Sequence, residues 1–327
     1  MSSVRAGPMT PEMEIVRVRE KIYQTFVAPS VALGNFDGVH RGHQEILRRT
    51  VNTAHAKGRD AVVYTFDPHP RLVLQKVPEV PRITTPSERA RILELLGIDV
   101  LILAEFTPEF ATQSPEEFVE NVLVEELGTR NLFIGENYRF GRNRSGTPHT
   151  LKKMSRDLGF VVHVVPPVRF GDTQVSSSLI REHVSNGEIA QANTLLGREF
   201  TIQGRVIHGH HRGKGLGYPT ANIKPEVKLH PPEGVYAAFC QTEDTVVHRA
   251  VMNIGYNPTF QDRRVSYELH ILDYDGELYG EFLTAYIVDR LRPEMRFSDG
   301  EHLKAQIAKD VERAREMLTG GPTITIW

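Results

Sequence analysis

The sequence is poor in cysteine and in long apolar runs. Its 327 residues include one cysteine, Cys240, which cannot form an internal disulfide. Its strand-like setting, Tyr236–Cys240, favours a buried packing role, and a single thiol fits a reducing compartment, so we expect a cytoplasmic protein. No apolar stretch is long enough to span a bilayer and the first 19 residues have no signal-peptide core, so no membrane contact is expected.

Charge of one sign is also in short supply. The chain carries 39 basic and 41 acidic side chains, a formal net charge of -2 at pH 7. This balance gives no support for extended binding of nucleic acid. We therefore expect small molecules as partners, and the sequence leaves the oligomeric state open. The length, with 40% apolar residues, is enough for two domains with cores of their own.

The first half has a rhythm of strand-like and helix-like runs that continues to about Val165. The strand-like runs are Val31–Leu33, Ala61–Phe66, Val100–Leu103, Asn131–Ile134 and Phe160–Val165. Capping signals at Thr85 and Ser114 start two of the intervening helices, each followed by a proline and, three residues after the cap, a glutamate. This alternation predicts a Rossmann-like α/β domain with a parallel sheet at residues 1–198, ending in a helical connector at 186–196.

The pattern changes after residue 198 to period-two runs separated by glycine, proline and Asp-Gly turns. The runs are Phe200–Ile207, Gly234–Cys240, Val246–Ile254, Val265–Asp273 and Glu277–Arg290. They predict an antiparallel β-barrel domain at residues 199–327, with a hairpin at Asp275-Gly276. A helix that starts at Ser298 and is capped by Glu301 is expected to follow the barrel.

The run from Gly34 to His43 reads Gly-Asn-Phe-Asp-Gly-Val-His-Arg-Gly-His and lies between a predicted strand and a predicted helix. Such a junction gathers free backbone N–H groups at the positive end of a helix dipole, which suits a polyphosphate. His40 and His43 fall on the same side of the first helical turn. A plain glycine turn is one alternative. Zinc is another, although two histidines supply only half of a tetrahedral site.

A second signal for phosphate binding is the run Ser176-Ser177-Ser178-Leu179-Ile180-Arg181. Serines before an apolar pair are good N-caps, so this helix start would offer hydroxyl, amide and guanidinium donors to an anion. Taken alone, the run favours a capped surface helix with an exposed arginine.

Together the two runs resemble the signatures of the nucleotidylyltransferase superfamily, and more narrowly those of bacterial FAD synthetases, which are bifunctional riboflavin kinases/FMN adenylyltransferases. Ser178 stands where this family has threonine, and the hydroxyl is kept. The resemblance implies that His40, His43 and Arg181 are catalytic, as stabilisers of the ATP phosphates. The ATP-binding residues that it implies are Gly34, Phe36, Asp37, His40, His43, Ser176, Ser177 and Arg181.

Two strand-end loops, Thr65–Pro70 and Gly135–Gly141, resemble those that shape the flavin pocket of the same family. Asn137 stands where many members carry aspartate. Each loop could instead be a turn with a core aromatic residue. The flavin-binding residues that the resemblance implies are Phe66, His69, Pro70, Asn137, Tyr138 and Phe140.

The barrel half contains a glycine-rich run from Gly204 to Asn222. It is not a Walker A loop, because Lys214 is followed by glycine. It resembles the riboflavin kinase signature Gly-x-x-x-Gly-x-Pro-Thr-Ala-Asn, in which glycines admit phosphate and side-chain oxygens suit Mg²⁺. A plain glycine-rich hairpin is the alternative. The resemblance implies Mg²⁺ binding by Thr220 and Asn222, and ATP binding by Gly209, Gly213, Lys214, Gly217, Pro219, Thr220 and Asn222.

Glu268 lies in the predicted strand Val265–Ile271, on the face that it shares with Ser266 and His270. The pattern alone favours a solvated barrel residue. The run Val-x-x-Glu-x-His-Ile, which follows Asn257–Phe260, resembles the segment that carries the kinase family's catalytic glutamate. The resemblance implies that Glu268 accepts the proton of the ribityl 5′-hydroxyl of riboflavin.

The function implied by the resemblance consists of two ATP-dependent reactions: riboflavin is phosphorylated to FMN, and FMN is adenylylated to FAD with release of pyrophosphate. Two other classes compete with it. A class I aminoacyl-tRNA synthetase uses a similar histidine turn, and Lys153–Asp157 is similar to its lysine-methionine-serine loop, but this run lies within a predicted helix. A flavin-binding regulator with inactive sites would lack His43 or Glu268, and both are present.

Overall fold

A computed structural model of the protein shows two compact units, which divide between Val175 and Ser176. The residues that it describes are 12–74, 81–208, 217–226, 228–256 and 265–323. The first unit contains a parallel sheet with helices and the second an antiparallel barrel, which confirms the predicted fold class. Across these ranges, no helix is long and apolar enough to cross a membrane.

The sheet of the first unit is formed by six parallel strands. They are β1 (Glu14–Val18), β2 (Ser30–Leu33), β3 (Ala61–Phe66), β4 (Val100–Ala104), β5 (Asn131–Gly135) and β6 (Val161–Val165). Their order across the sheet is β1-β4-β3-β2-β5-β6. In the central strand β2, Ser30 pairs with Ala61 of β3 on one side and with Asn131 of β5 on the other. A separate hairpin is formed by β7 (Arg169–Phe170) and β8 (Thr173–Gln174).

The helices of this unit begin largely where the capping signals predict. They are α1 (Arg41–His55), α2 (Pro70–Leu74), α3 (Pro86–Leu95), α4 (Pro115–Glu117) and α5 (Pro148–Leu158), with 3₁₀ turns at Phe110–Thr112 and Arg142–Arg144. A π-helical segment, Phe118–Glu126, continues α4. Both predicted capping boxes are confirmed, because Thr85 accepts from the N–H of Glu88 and Ser114 from the N–H of Glu117.

The four inner strands of the sheet are largely apolar on both faces because both faces are covered. All five residues of β4 are buried, and Val31, Val62 and Leu132 have no exposed surface. The sequence patterns do not predict β1. It is an edge strand in which Glu14 and Arg17 interrupt the apolar residues, so its apolar signal is weak.

The second unit contains a closed barrel of six antiparallel strands. They are β9 (Phe200–Ile207), β10 (Ala221–Pro225), β11 (Gly234–Gln241), β12 (Val247–Tyr256), β13 (Val265–Ile271) and β14 (Phe282–Pro293). Their order around the barrel is β10-β13-β12-β11-β14-β9. The helices described in this unit are α6 (Ser177–Asn186), α7 (Ile189–Leu196) and α8 (Gly300–Met317). An apolar stripe of α8 packs into a core, where Val311 and Ala314 join Val235 and Phe239 of β11.

The predicted hairpin at Asp275-Gly276 is wrong. β13 pairs with β10 and β12, while β14 pairs with β9 and β11, so the strands on either side of this dipeptide are not neighbours. A type I′ turn needs positive φ angles at both central residues. Positive angles occur in this loop at Asp273 and Gly280 and not at Gly276. Closure of the barrel uses both edges of β14, which leaves no edge for β13.

The predicted start of the C-terminal helix is also wrong, by one residue. The N-cap of α8 is Asp299, whose carboxylate accepts from the N–H of His302 at 3.0 Å. The hydroxyl of Ser298 donates to the Asp299 carboxylate at 3.0 Å, so it supports the cap instead of being the cap.

The predicted helical connector at 186–196 contains α7, which is fixed to the barrel. The Asn193 side chain donates to the carbonyl oxygens of Ile287 at 2.9 Å and Val288 at 3.1 Å. Its oxygen accepts from the N–H of Phe200 at 2.7 Å. The compact units accordingly group α6 and α7 with the barrel. The domain boundary at residue 198 stays a prediction.

Candidate functional sites

The first candidate site lies at the carboxyl edge of the parallel sheet. Gly34 follows β2, while Phe66 and Gly135 end the neighbouring strands β3 and β5. Ligands of open α/β sheets bind in the crevice at this edge. The strand order therefore brings together the histidine run and both loops predicted to bind flavin.

The turn after β2 has an unusual backbone conformation. Phe36, Gly38 and Val39 have positive φ angles of 48°, 81° and 37°. Such angles are costly for residues with a side chain, most of all for β-branched Val39. Both apolar side chains are buried, so the surrounding core holds the turn in place. Strained backbone of this kind is typical of functional sites.

Asp37 fastens this turn to the segment that precedes α3. Its carboxylate accepts from the N–H of Ile83 at 3.0 Å, from the N–H of Thr84 at 3.2 Å and from the Thr84 hydroxyl at 3.3 Å. The Thr84 oxygen in turn accepts from the N–H of Gly38 at 3.0 Å. Asp37 is thus a buried support of the turn, and its contact with ATP stays a prediction.

The two histidines of the run stack on each other at the start of α1. Their ring centroids are 3.6 Å apart, and the ring of Phe36 meets His43 edge-on at 5.2 Å. His40 is the N-cap, because its Nδ1 accepts from the N–H of His43 at 3.3 Å. The neutral His40 ring therefore carries its proton on Nε2 and can donate from that atom. A Cβ at Gly42 would lie 3.2 Å from the His40 ring, which favours glycine there.

The loop after β3 contacts the histidine run. His69 Nε2 lies 3.3 Å from the side-chain nitrogen of Asn35, which belongs to that run. Phe66 packs edge-on against Phe110, with ring centroids 5.3 Å apart. Pro70 begins α2. The structure thus joins the loop predicted to bind flavin to the turn predicted to bind phosphate.

Of the residues predicted to bind flavin, the loop after β5 has one that is exposed, one that is partly buried (Tyr138) and one that is buried (Phe140). Asn137 is exposed. Tyr138 and Phe140 stack with ring centroids 5.9 Å apart, and Phe140 also packs on Phe118. Burial raises the pKa of the Tyr138 hydroxyl above its usual range. Phe140 is therefore a core residue in this structure, and the flavin contacts of all three stay a prediction.

Ser176 is the N-cap of α6, as the sequence predicts. Its hydroxyl oxygen accepts from the N–H of Leu179 at 3.3 Å. Ser177 opens the helix and Arg181 lies in the next turn. These residues belong to the second compact unit, whereas the stacked histidines belong to the first. Their union in one ATP site stays a prediction.

The second candidate site lies on the barrel, where β10 joins β13. Asn222 is directly opposite Glu268 in the ladder between these strands. Opposite residues of antiparallel strands have their side chains on one face, with Cβ atoms about 4.5–5.5 Å apart. The register therefore brings together the predicted base and a predicted Mg²⁺ ligand that are far apart in the sequence.

The segment that leads into β10 is tied to β13. Nδ1 of His270 lies 2.8 Å from the carbonyl oxygen of Pro219, and the Tyr218 ring meets His270 edge-on at 5.5 Å. Gly217 has a φ of 86°, which favours glycine. Thr220 is therefore held between this anchor and the start of β10. The other predicted ATP-binding residues lie outside the described residues: Gly209, Gly213 and Lys214.

Thr220 and Asn222 have a donor set that fits Mg²⁺. Their hydroxyl and amide oxygens are hard, neutral ligands, and this ion commonly takes only one or two protein ligands together with substrate phosphates and water. In the part of the chain that the structure describes, no group of three or more His, Cys, Asp or Glu side chains could hold a metal ion. The fit therefore depends on phosphate oxygens to complete the coordination.

Two neighbours of these sites are not singled out by the sequence. Asn253 of β12 is opposite Glu268 on the far side of β13. Arg89 of α3 donates from Nη1 to the carbonyl oxygen of Asn35 at 2.9 Å. An asparagine in a strand and an arginine in a helix are common in any sequence, so only the folded neighbourhood identifies them.

Comparison with protein families gives two matches along the chain. The family model of FAD synthetase matches residues 24–179, and that of riboflavin kinase matches residues 196–318. The first stretch contains the histidine run, and the second contains Asn222 and Glu268.

Individual proteins match over most of the chain. The bifunctional riboflavin kinase/FMN adenylyltransferase of Listeria monocytogenes is 38% identical over 288 residues, which cover 87% of this chain and 91% of the relative. The protein of the same name from Escherichia coli K12 is 33% identical over 88% of this chain and 91% of its own. A crystal structure described as a macrolide-efflux protein from Streptococcus pneumoniae has a TM-score of 0.83 at 31% identity, covering 92% of this chain and 99% of that one.

Proposed function

Because the chain belongs to the family of bifunctional riboflavin kinase/FMN adenylyltransferases, we propose that it makes FMN from riboflavin and FAD from FMN at two separate sites. The observation that carries this proposal is that the two central residue pairs lie in different matched stretches. The stacked histidines fall within the FAD synthetase match, and the Asn222–Glu268 pair falls within the riboflavin kinase match.

In the adenylylation step, the phosphate of FMN attacks the α-phosphorus of ATP and pyrophosphate leaves. No protein nucleophile is needed, since positioning and charge stabilisation supply most of the catalysis in such transfers. His40 donates from Nε2 to a phosphate oxygen at the start of α1, and His43, whose ring stacks on that of His40, supplies a second donor. Ser176, Ser177 and Arg181 supply further donors from the start of α6.

In the kinase step, Glu268 accepts the proton of the ribityl 5′-hydroxyl as that oxygen attacks the γ-phosphorus of ATP. Thr220 and Asn222 would hold Mg²⁺ through their side-chain oxygens, where the ion would supply positive charge beside the phosphate oxygens. The hydrogen bond between His270 and Pro219 fixes the approach of Thr220 to the strand that carries the base.

We assign the adenylyltransferase to residues 1–198 and the kinase to residues 199–327. Family matches that end at residue 179 and begin at residue 196 support a boundary near this position. The partners are small molecules and not nucleic acid, in keeping with the near-neutral charge. The single cysteine and the use of ATP support a cytoplasmic location.

The test is incubation of the purified protein with riboflavin, ATP and Mg²⁺, followed by chromatography of the flavins. The proposal expects FMN to appear first and FAD to follow. An aminoacyl-tRNA synthetase would leave riboflavin unchanged and would instead load tRNA with an amino acid. A flavin-binding regulator would retain riboflavin without converting it. Recovery of riboflavin alone would contradict the proposal.

A further inference from the structure

Arg89 is brought to the carboxyl edge of the sheet by the way α3 begins. The segment before α3 is tied to Asp37 through the N–H groups of Ile83 and Thr84, and α3 starts at the next residue with the capping box of Thr85. One turn later, Nη1 of Arg89 donates to the carbonyl oxygen of Asn35 at 2.9 Å. The guanidinium therefore contacts the turn that carries the stacked histidines.

The positive charge of Arg89 is poorly compensated where it lies. Removal from water lowers the pKa of its guanidinium, and the carboxylates of Asp37 and Asp67 oppose this effect without cancelling it. Asp67 also faces the guanidinium groups of Arg17 at 3.8 Å and Arg82 at 3.5 Å. Asp37 already accepts from backbone N–H groups. Both carboxylates therefore have other charged or hydrogen-bonding partners besides Arg89.

One donor of Arg89 is also unused. Its Nε is buried and has no hydrogen-bond acceptor among the described residues. A buried donor without an acceptor carries a cost in free energy. An anion at this position would accept from Nε, balance the charge and remove this cost. A guanidinium offers parallel N–H donors in a fixed plane, which match the oxygens of a phosphate.

We propose that Arg89 is a phosphate-binding residue of the adenylylation site. This inference depends on the proposed function, because it deepens the same site. Arg89 donates to the backbone carbonyl of Asn35, and the side chain of Asn35 lies 3.3 Å from the ring of His69. Asn35 thus links Arg89 to a loop predicted to bind flavin, so the phosphate of FMN is the expected ligand. The triphosphate of ATP has the same chemistry and is the other source.

The experiment measures FMN adenylylation with FMN supplied directly, in wild type, Arg89→Met and Arg89→Lys. Arg89→Met keeps much of the stem and removes the charge, so kcat/KM should fall about 10- to 100-fold, as expected for a lost charge-assisted hydrogen bond. Arg89→Lys keeps the charge and one donor, so part of the loss should be restored. An arginine with a purely structural role would leave the KM values of the folded variants unchanged.

The two phosphate sources are separated by their Michaelis constants. A rise in KM for FMN alone identifies the FMN phosphate. A rise in KM for ATP, together with weaker inhibition by added inorganic pyrophosphate, identifies the triphosphate. Unchanged KM values for both substrates in Arg89→Met and Arg89→Lys would overturn the inference. If Arg89→Met does not fold, the Arg89→Lys values decide, because lysine can still donate to the Asn35 carbonyl.

Arg91→Met is the matched control. It removes an exposed arginine two residues further along the same helix and should leave both KM values as in wild type. Riboflavin phosphorylation should persist in all variants. If wild type makes no FAD, the proposed function fails. If wild type makes FAD and Arg89→Met does so with the same constants, only the present inference fails.

Discussion

The histidine turn of the sheet site is one continuous run, Gly34–His43, whereas the residue pair of the barrel site comes from two strands that are distant in the sequence. The first depends on a strained turn, with positive φ at Phe36 and Val39, that Asp37 holds in place. The second depends on register, because only the ladder puts Asn222 opposite Glu268. The loss of one loop contact can disrupt the histidine turn, whereas the pairing of Asn222 with Glu268 persists as long as the barrel closes. The two activities should therefore be separable by single substitutions.

The largest effect is expected from Glu268→Gln, which removes the base and keeps the shape of the side chain. Riboflavin phosphorylation should fall about 10²- to 10⁴-fold, the usual contribution of general base catalysis. Conversion of supplied FMN to FAD should stay at the wild-type rate. Both reactions are measured by chromatography of the flavins.

Glu277→Gln is the matched control for that substitution. It lies in the exposed loop between β13 and β14 and should change neither reaction. A Glu268→Gln protein that phosphorylates riboflavin normally would remove Glu268 from the mechanism. Loss of both reactions in a folded Glu268→Gln protein would show that the sites are not independent.

A somewhat smaller effect is expected on the sheet side from His43→Ala. FAD formation should fall about 10²- to 10³-fold, the usual cost of losing one donor to a developing oxyanion. FMN should accumulate, because the barrel site is untouched. A time course with riboflavin and ATP measures both products.

The control is His55→Ala at the other end of α1, where the histidine pairs with Asp99 at 2.8 Å. This variant should still make FAD. If His43→Ala made FAD as fast as wild type, the stacked histidines would be a packing feature of the turn and not part of the chemistry.

The same contrast explains what could be predicted from the sequence. The parallel strands were predictable because each is a short apolar run, and the helix starts at Thr85 and Ser114 because capping is local. The His40–His43 pair was predictable for the same reason, since helical spacing alone puts the rings together. Local rules therefore identify a site that the chain builds locally.

Features that depend on distant partners could not be predicted in this way. β10 has only five residues and ends in Pro225, which has no N–H to donate, so its local signal is weak, and it is a strand because β9 and β13 flank it. The Asp275-Gly276 hairpin fails because barrel closure decides which strands pair. Arg89 becomes notable only when α3 is fastened to Asp37. In each case a long-range contact overrides the local signal.

Asp37→Asn is expected to lower the stability of the first unit, and its effect on reaction rates should be smaller than those of Glu268→Gln and His43→Ala. The amide would put an N–H₂ group or a weaker acceptor against the N–H groups of Ile83 and Thr84, at a cost of about 1–3 kcal/mol in the free energy of unfolding of the first unit. FAD formation should fall with it, because the turn loses its support. Denaturant unfolding and a flavin assay on the same preparation measure the two effects.

Asp157→Asn, an exposed change on α5, is the control for stability and should leave the unfolding transition unchanged. Riboflavin phosphorylation should be unaffected by either change. A stable Asp37→Asn protein that still loses FAD synthesis would point to a direct role of Asp37 toward ATP and would weaken the view that it only supports the turn.

The smallest expected effect is a change in stability with pH, and the sign of this change should differ between the two units. Burial, with Arg49 adding to it, lowers the pKa of His163, which stacks on Phe133 in the sheet. The neutral His163 ring therefore contributes to the stability of the first unit above the unfolded pKa of about 6.5. This contribution is lost as the pH falls through the lower folded pKa. In the barrel, the hydrogen bond to Glu233, with burial adding to it, raises the pKa of Glu294 against the opposing effect of Arg292. Protonated Glu294 therefore contributes to the stability of the barrel below its unfolded pKa, and this contribution is lost as the pH rises through its folded pKa.

Thermal unfolding of wild type, His163→Gln and Glu294→Gln at neutral and at acid pH tests this difference in sign. His163→Gln should make the first unit less sensitive to acid and leave the barrel as it was. Glu294→Gln should remove the gain that the barrel makes on acidification, because the neutral amide no longer takes up a proton. Since His163 and Glu294 lie in different compact units, a change in one transition should leave the other in place. If each variant shifted both unfolding transitions together, the two units would unfold as one. The independence expected of the two sites would then not extend to the stability of the two units.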